Sequence, residues 1–235
     1  MGESKEGGIR SIHQRELNYL SEFLVDVNQI GQLLGKGMGH WVYEYGSDQV
    51  IKIPIDRGWH RPGRAEEREQ DLTIIKQYFP DQYLETEVIR SEKNPYYCLI
   101  QRKLNDFSNI SPENVAAVAN EFHEMLKINR HLVSQQGMSL DFLGKEGMTR
   151  CVQALAGMDG VKPEISNIVI EHSSEGKSNL VIPDFSILRF GTEHYLGSRE
   201  IIKEALQGFR TRKISNVTFD LNKTLIKWLF NVSIG

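Results

Sequence analysis

Apolar residues recur in two different rhythms along this chain, and the rhythm changes near Leu104. Before that point short apolar runs dominate, at 29–34, 41–46, 49–55, 86–90 and 96–102, and they predict strands. In Val50-Ile51-Lys52-Ile53-Pro54-Ile55 the period of two sends Ile51, Ile53 and Ile55 to one face and Val50 and Lys52 to the other. One helix interrupts them, at roughly 64–79, with Leu72, Ile75 and Phe79 on one side and Pro80 as its stop. Ahead of the strands, residues 12–25 set Leu17, Leu20, Phe23 and Leu24 at helical spacing and predict a short amphipathic helix.

From Asn105 onward helical spacing takes over. Ser111-Pro112-Glu113 combines an N-cap, a proline at the first helical position and an acid in the first turn, and Val115, Val118, Phe122, Met125, Leu126 and Leu132 extend the stripe to Gly137. Further helices are predicted at 145–156, 198–209 and 220–230. The strand pair predicted in this half is a hairpin at 166–184, where Ile168-Val169-Ile170 and Leu180-Val181-Ile182 flank the polar run from Glu171 to Asn179. The pattern predicts an α+β protein in three parts: a helical extension at 1–26, a β-rich lobe with one long helix at 27–104, and a helical lobe at 105–235.

Composition adds mainly exclusions. The 235 residues are 40% apolar and 25% charged, which is ordinary globular usage. A formal charge of −3 gives nothing global to attract a nucleic-acid backbone or an anionic membrane. Arg210, Arg212 and Lys213 form a dense basic cluster, which reads as a solvated helix end. The polar N-terminus and the absence of any window near ~20 apolar residues predict neither leader nor span, hence a cytoplasmic protein. Three Asn-x-Ser/Thr matches, at Asn216, Asn222 and Asn231, then carry no weight. Cys98 and Cys151 have apolar surroundings and no metal-ligand spacing, so both read as small core residues.

Chemistry enters at three places. Leu34-Gly35-Lys36-Gly37-Met38-Gly39-His40-Trp41-Val42 sets three glycines between two strands, which lets backbone N–H groups approach a phosphate; equally, such turns often only connect strands. Lys52, flanked by apolar residues, is costly to bury without a counter-charge or an anionic ligand, unless it lies on the solvent face. Glu66, Glu67 and Glu69 lead the following helix and offer partners, although acids there also complement the helix dipole. Third, a hairpin pairing symmetrically about its loop would set Asn167 directly across from Asp184. A carboxylate and an amide oxygen so placed can share one Mg²⁺ ion with phosphate oxygens.

In this order the segments resemble the protein-kinase-like superfamily over about residues 29–190, in its compact atypical branch. The resemblance implies a two-lobed fold that binds ATP and Mg²⁺ between its lobes, with a small β-rich N-lobe and a reduced helical C-lobe, transferring the γ-phosphoryl group to a hydroxyl of a small-molecule or protein acceptor. Gly35, Lys36, Gly37, Gly39 and Val42 match the nucleotide loop, and Val-Ile-Lys52 looks like the strand lysine that holds the α- and β-phosphates. By the same resemblance Gln101 belongs with the nucleotide, Glu69 or Glu66 braces Lys52, and Asn167 and Asp184, the latter in Asp184-Phe185-Ser186, bind metal. His40 stands in the place of the third loop glycine and Ser186 in that of the last glycine of the metal motif. Lys162 stands where the family has its catalytic aspartate, five residues before the asparagine.

Gly137-Met138-Ser139-Leu140-Asp141-Phe142 is similar to the strand that opens the catalytic loop, which would make Asp141 the base and residues 143–161 an insertion. Asp141 could instead cap the next helix. Asp159, between Gly157 and Gly160, reads as a turn. No Ala-Pro-Glu follows Phe185, so the platform that grips protein substrates looks truncated. Two other readings compete. One is a pseudokinase that senses nucleotide or mediates interactions without turnover; the other is an adaptor whose glycines and acids are only turns and caps.

Overall fold

The computed structural model describes residues 18–36, 39–55, 63–91, 96–155 and 157–189. Gly37, the helices expected at 198–209 and 220–230, and the Arg210 cluster lie outside that range. The described chain is α+β and divides into two compact units, one of residues 1–72 and 84–103, the other of residues 73–83 and 104–235.

The first unit is a five-stranded antiparallel sheet: β1 (Ile30–Lys36), β2 (His40–Tyr45), β3 (Gln49–Pro54), β4 (Thr86–Arg90) and β5 (Tyr97–Arg102), in the order β1-β2-β3-β5-β4. Alternation divides its residues between two faces. One face is apolar. Tyr43, Tyr45, Ile51, Ile53, Cys98 and Ile100 form a core with Leu20 and Phe23, which arrive from the segment before β1. Among its described residues that segment is helical at 18–20 and leaves the helix at Ser21, short of the helix expected to reach residue 25. Phe23 N–H bonds Leu20 carbonyl at 3.0 Å and closes the turn there, so both side chains lie on the sheet. Burying each is worth about 1.5–3 kcal/mol. Leu24, next in sequence after Phe23, is left exposed.

The register Val42↔Lys52, Lys52↔Leu99, Val88↔Leu99 and Arg90↔Tyr97 defines the opposite face, because directly paired residues point the same way. Helix α1 (Arg64–Tyr78) lies on this side, as Arg90 reaches its Glu66 and Glu69. The division between the units falls within α1, after Leu72. Its buried stripe is Ala65, Arg68, Leu72, Ile75 and, just beyond the end, Phe79. An arginine thus occupies the stripe one turn before Leu72, and Asp71 is buried beside it.

In the second unit, β6 (Phe107–Ile110), β8 (Ile165–His172) and β9 (Ser178–Val181) form one antiparallel sheet, in the order β6-β8-β9. The three-residue strands β7 (Met138–Leu140) and β10 (Ile187–Arg189) pair separately. Helix α2 (Ala119–Gln136) buries Phe122, Met125, Leu126 and Leu132 as its spacing predicts. It ends at Gly137, which takes φ 62° and donates its N–H to Val133 carbonyl, a left-handed cap suited to glycine. The start differs from expectation. Asn114 bonds Ser111 N–H and Asn109 carbonyl through its side chain, making a local turn, and the chain runs through a 3₁₀ segment at Val115–Val118 before α2 begins.

The hairpin corrects the expected register. Its pairs are Val169↔Val181, Ile170↔Leu180, Glu171↔Asn179 and His172↔Ser178, so Asn167 is not across from Asp184; continuing the ladder would bring it to Pro183. The ladder in fact stops sooner. Ile182 N–H bonds Gln82 carbonyl at 2.9 Å and pairs with Tyr83, while Pro183 has no N–H to offer β8.

Candidate functional site

Each unit carries its own set of polar groups. In the first, Lys52 is partly buried on the face that α1 covers, between Val42 and Leu99 in the neighbouring strands. This is not the solvent face of a half-buried strand. Gln101, also on this face, is buried and donates from Nε2 to Thr86 Oγ1 at 2.8 Å; that hydroxyl in turn donates to Leu84 carbonyl at 2.7 Å. His40 is buried here too, with Nε2 3.2 Å from Tyr97 Oη and the rings edge to face.

The loop between β1 and β2 is described at its two ends. Gly35 is opposite Val42, and nothing lies within 4 Å of where a Cβ would stand, so the space over its backbone is open. Gly39 is buried, and its carbonyl accepts from Ile55 N–H at 2.9 Å. Lys36 pairs with Trp41 and lays its ammonium over that ring at 4.5 Å from the centroid. Its partner Trp41 belongs to the face opposite Lys52, so the structure does not bring the two lysines together.

Glu66 and Glu69 are engaged by Arg90. Arg90 Nη1 lies 2.6 Å from Glu66 Oε1, its Nε 2.6 Å from Glu69 Oε1, and its Nη2 also bonds Glu69 Oε2. The hydrogen bond to Glu69, against the smaller opposing effect of burial, raises the arginine's pKa. Both acids are half exposed. The acid that α1 does bury is Asp71, fully enclosed and 2.9 Å from Arg68 Nη2. Sequence reasoning passed over it, although counting back from Ile75 by helical steps gives Leu72, Arg68 and Asp71 rather than Glu69.

In the second unit the β7–β10 pair does most of the positioning. Leu140↔Ile187 sets the end of one strand against the start of the other, and Asp141 N–H donates to Ser186 carbonyl at 2.9 Å. Asn167 joins them from β8, with Nδ2 donating to Asp141 carbonyl at 2.9 Å and its N–H to Phe142 carbonyl at 3.3 Å. Asp141, Asn167 and the segment that carries Asp184 are therefore brought together, by the β7–β10 pair rather than by the hairpin. Asp184 itself is exposed, while Phe185 beside it is buried.

The Asp141 carboxylate accepts from Gly144 N–H at 3.0 Å, at the first residue of α3 (Gly144–Leu155), so a capping bond exists. Ser166 Oγ donates to Leu143 carbonyl at 2.6 Å and accepts from Gly147 N–H at 3.3 Å, which fastens the start of α3 to β8. Gly144 has φ 62°, and a Cβ there would stand 2.8 Å from Asn167 Cγ and 3.0 Å from its Nδ2. Gly144→Ala should cost about 1–2 kcal/mol for the left-handed backbone alone, plus the displacement of the Asn167 amide. Gly157 has a similar φ of 71° with open space around it, so Gly157→Ala measures the backbone part by itself. Urea denaturation of both variants should show the larger loss for Gly144→Ala. Equal losses would mean that the Asn167 contact contributes nothing.

Lys162, in the place of the family's aspartate, is an exposed residue 2.9 Å from Glu113 Oε1. Its hydrogen bond, ahead of that from Ser111, holds the Glu113 pKa down to about 2, from 4.5. A depressed carboxylate stabilises the fold above its unfolded pKa, and that contribution is lost as pH falls from about 4.5 through about 2. Lys162→Ala should raise the Glu113 pKa toward 4.5, read by carboxyl NMR titration, with no change in stability at neutral pH beyond the small value of an exposed pair. An unmoved titration would mean that Ser111 and the backbone hold the carboxylate instead.

Elsewhere, burial pushes the Cys98 thiol up to about 12 and the Cys151 thiol up to about 11, and both are free. Among the described residues no three His, Cys, Asp or Glu side chains gather into a metal-binding group, and no helix is long and apolar enough to cross a membrane.

No protein-family model matches the chain, and no curated protein matches it in sequence. A solved structure described as the GDP and kanamycin complex of APH(2")-IIia aligns with 94% of this chain and 88% of its own, at 11% identity and a TM-score of 0.42. At those values the likeness assigns nothing to this chain.

Proposed function

We propose that the protein is a kinase-like phosphotransferase that uses Mg·ATP to phosphorylate a hydroxyl acceptor. The observation that carries the reading is the backbone junction of Asp141, which bonds Ser186 on one side and Asn167 on the other. It gathers a carboxylate, an amide and the Asp184 segment that the sequence resemblance assigns to one reaction. Lys52, on the helix-covered face with Val42 and Gln101, would supply the cation that the resemblance assigns to the phosphates. Asp184 and the amide oxygen of Asn167 are the groups that would hold Mg²⁺, a hard cation that needs one or two protein oxygens when phosphates complete its shell. Their donor chemistry fits that ion. Bound there, Mg²⁺ would neutralise charge on the phosphates. Asp141 would orient the acceptor hydroxyl and take its proton. Such catalysis is mostly positioning and charge stabilisation.

A second reading, a nucleotide-binding pseudokinase, is favoured by the bond between the Asp141 carboxylate and Gly144 N–H, which gives that residue a structural task. Calorimetric titration with ATP, at several Mg²⁺ concentrations, tests what the two readings share. Asp184→Asn should remove most of the Mg²⁺ dependence, and Lys52→Ala should weaken binding with the fold intact. Absence of nucleotide binding by the wild-type protein would overturn both and leave the adaptor reading.

A further inference from the structure

The polar contacts just before Asp141 converge on one side chain of α2. Asn129 lies on the apolar stripe between Met125 and Leu132, yet it is buried to 6% exposure. Its Oδ1 accepts from Leu140 N–H at 2.8 Å, and its Nδ2 donates to Ser139 Oγ at 2.9 Å. Ser139 Oγ also lies 3.0 Å from Leu140 carbonyl. A buried amide on an apolar stripe is unfavourable unless both ends are satisfied. Here both are, and by the two residues that lead into Asp141.

From this arrangement we infer that Asn129 is a positioning residue of the active site, fixing the backbone from which the Asp141 carboxylate projects. The inference rests on the reading of Asp141 given above. Strand β7 has three residues and, among the described residues, pairs only with the equally short β10, so that ladder gives it few bonds. Asn129 adds a third fixed point, from a helix of 18 residues. With Ser186 and Asn167 bonding the N–H and carbonyl of Asp141 itself, the backbone that carries the carboxylate is held at and before residue 141. Ser139 pairs opposite Leu188, so the same network also fixes β10.

The test compares three variants of the full chain. Asn129→Leu removes both side-chain bonds, Asn129→Asp keeps the acceptor for Leu140 N–H and loses the donor to Ser139, and Leu132→Ala removes apolar packing from the same stripe while leaving the Asn129 hydrogen bonds in place. Melting temperature, Mg·ATP affinity, and kcat and KM for γ-phosphate release are measured on each. Because displacement of a reacting group by about 1 Å can cost on the order of a hundredfold, Asn129→Leu should lower kcat roughly ten- to a hundredfold with KM and nucleotide affinity unchanged. Asn129→Asp should recover part of the loss, and Leu132→Ala should lower the melting temperature with kcat retained. If Asn129→Leu does not fold, Asn129→Asp against Leu132→Ala makes the same comparison.

A fall in turnover no greater than that of Leu132→Ala, at similar loss of stability, overturns the inference. Wild-type protein that binds Mg·ATP but turns over with no acceptor, water included, overturns the catalytic reading of Asp141 instead. Amide hydrogen exchange at 140–144 then decides the role of Asn129: selective acceleration in Asn129→Leu supports it as the holder of the Asp141 backbone, and exchange matching Leu132→Ala refutes it.

Discussion

Asp141→Asn is expected to slow γ-phosphate release by about a hundredfold or more, the usual size of a lost general base, while Mg·ATP affinity and melting temperature stay close to wild type. The separation follows from what each atom does. An asparagine at 141 still offers an oxygen to Gly144 N–H, so the bond at the start of α3 survives, but it cannot take a proton from an acceptor hydroxyl. Asp141→Ala loses both and should in addition be less stable by about 1 kcal/mol, the typical worth of a helix cap. Measuring release and thermal unfolding on the two variants distinguishes the roles. Undiminished turnover in Asp141→Asn, together with destabilised Asp141→Ala, would make the residue a cap and nothing more.

The second large effect concerns stability. Asp71 is fully buried and Arg68 nearly so, at 2.9 Å, in the part of α1 that belongs to the first unit. Removing the acid alone, as in Asp71→Ala, strands a guanidinium in the interior and should cost about 3–5 kcal/mol. Against a total stability of order 5–15 kcal/mol, that is enough to leave much of the protein unfolded on mild heating. Replacing both charges, Arg68→Met with Asp71→Leu, should recover most of the loss, because two desolvated charges are exchanged for apolar contact. Urea denaturation of the single and double variants closes the cycle. A loss in the double variant equal to the sum of the losses in Arg68→Met and Asp71→Leu alone would show that the pair is not coupled. The double variant also bears on function, since Lys52 lies on the sheet face that α1 covers: stability regained with nucleotide affinity lost would mark Asp71 as part of the electrostatic setting of Lys52.

What could be read from the sequence was set by local periodicity. Alternation in β3 assigned Ile51 and Ile53 to one face and Lys52 to the other, and the structure has them so, because a pleated strand leaves no other choice. The stripe of Leu72, Ile75 and Phe79 and the stop of α2 at Gly137 were legible for the same reason: 3.6-residue spacing and a glycine suited to a left-handed cap are properties of a few consecutive residues. Periodicity did not show strands β7 and β10, although the resemblance at Gly137 to Phe142 pointed to a strand where β7 lies. Three residues carry no periodic signal, and each is a strand because the other lies against it. That long-range pair, not the hairpin, brings Asp141 to Ser186; the hairpin is paired one residue away from the register that would have set Asn167 opposite Asp184, and its ladder ends before Ile182, which bonds Gln82 instead. Likewise the sequence offered Glu66 and Glu69 as acids on α1, but it did not show that both would meet Arg90 of β4 or that Asp71 would be enclosed with Arg68. The sequence by itself determined the longer periodic elements and which way their side chains alternate, since those depend on neighbours along the chain. Which polar groups meet was decided only by the tertiary structure, since the energy of a buried charge or amide depends on partners distant in sequence.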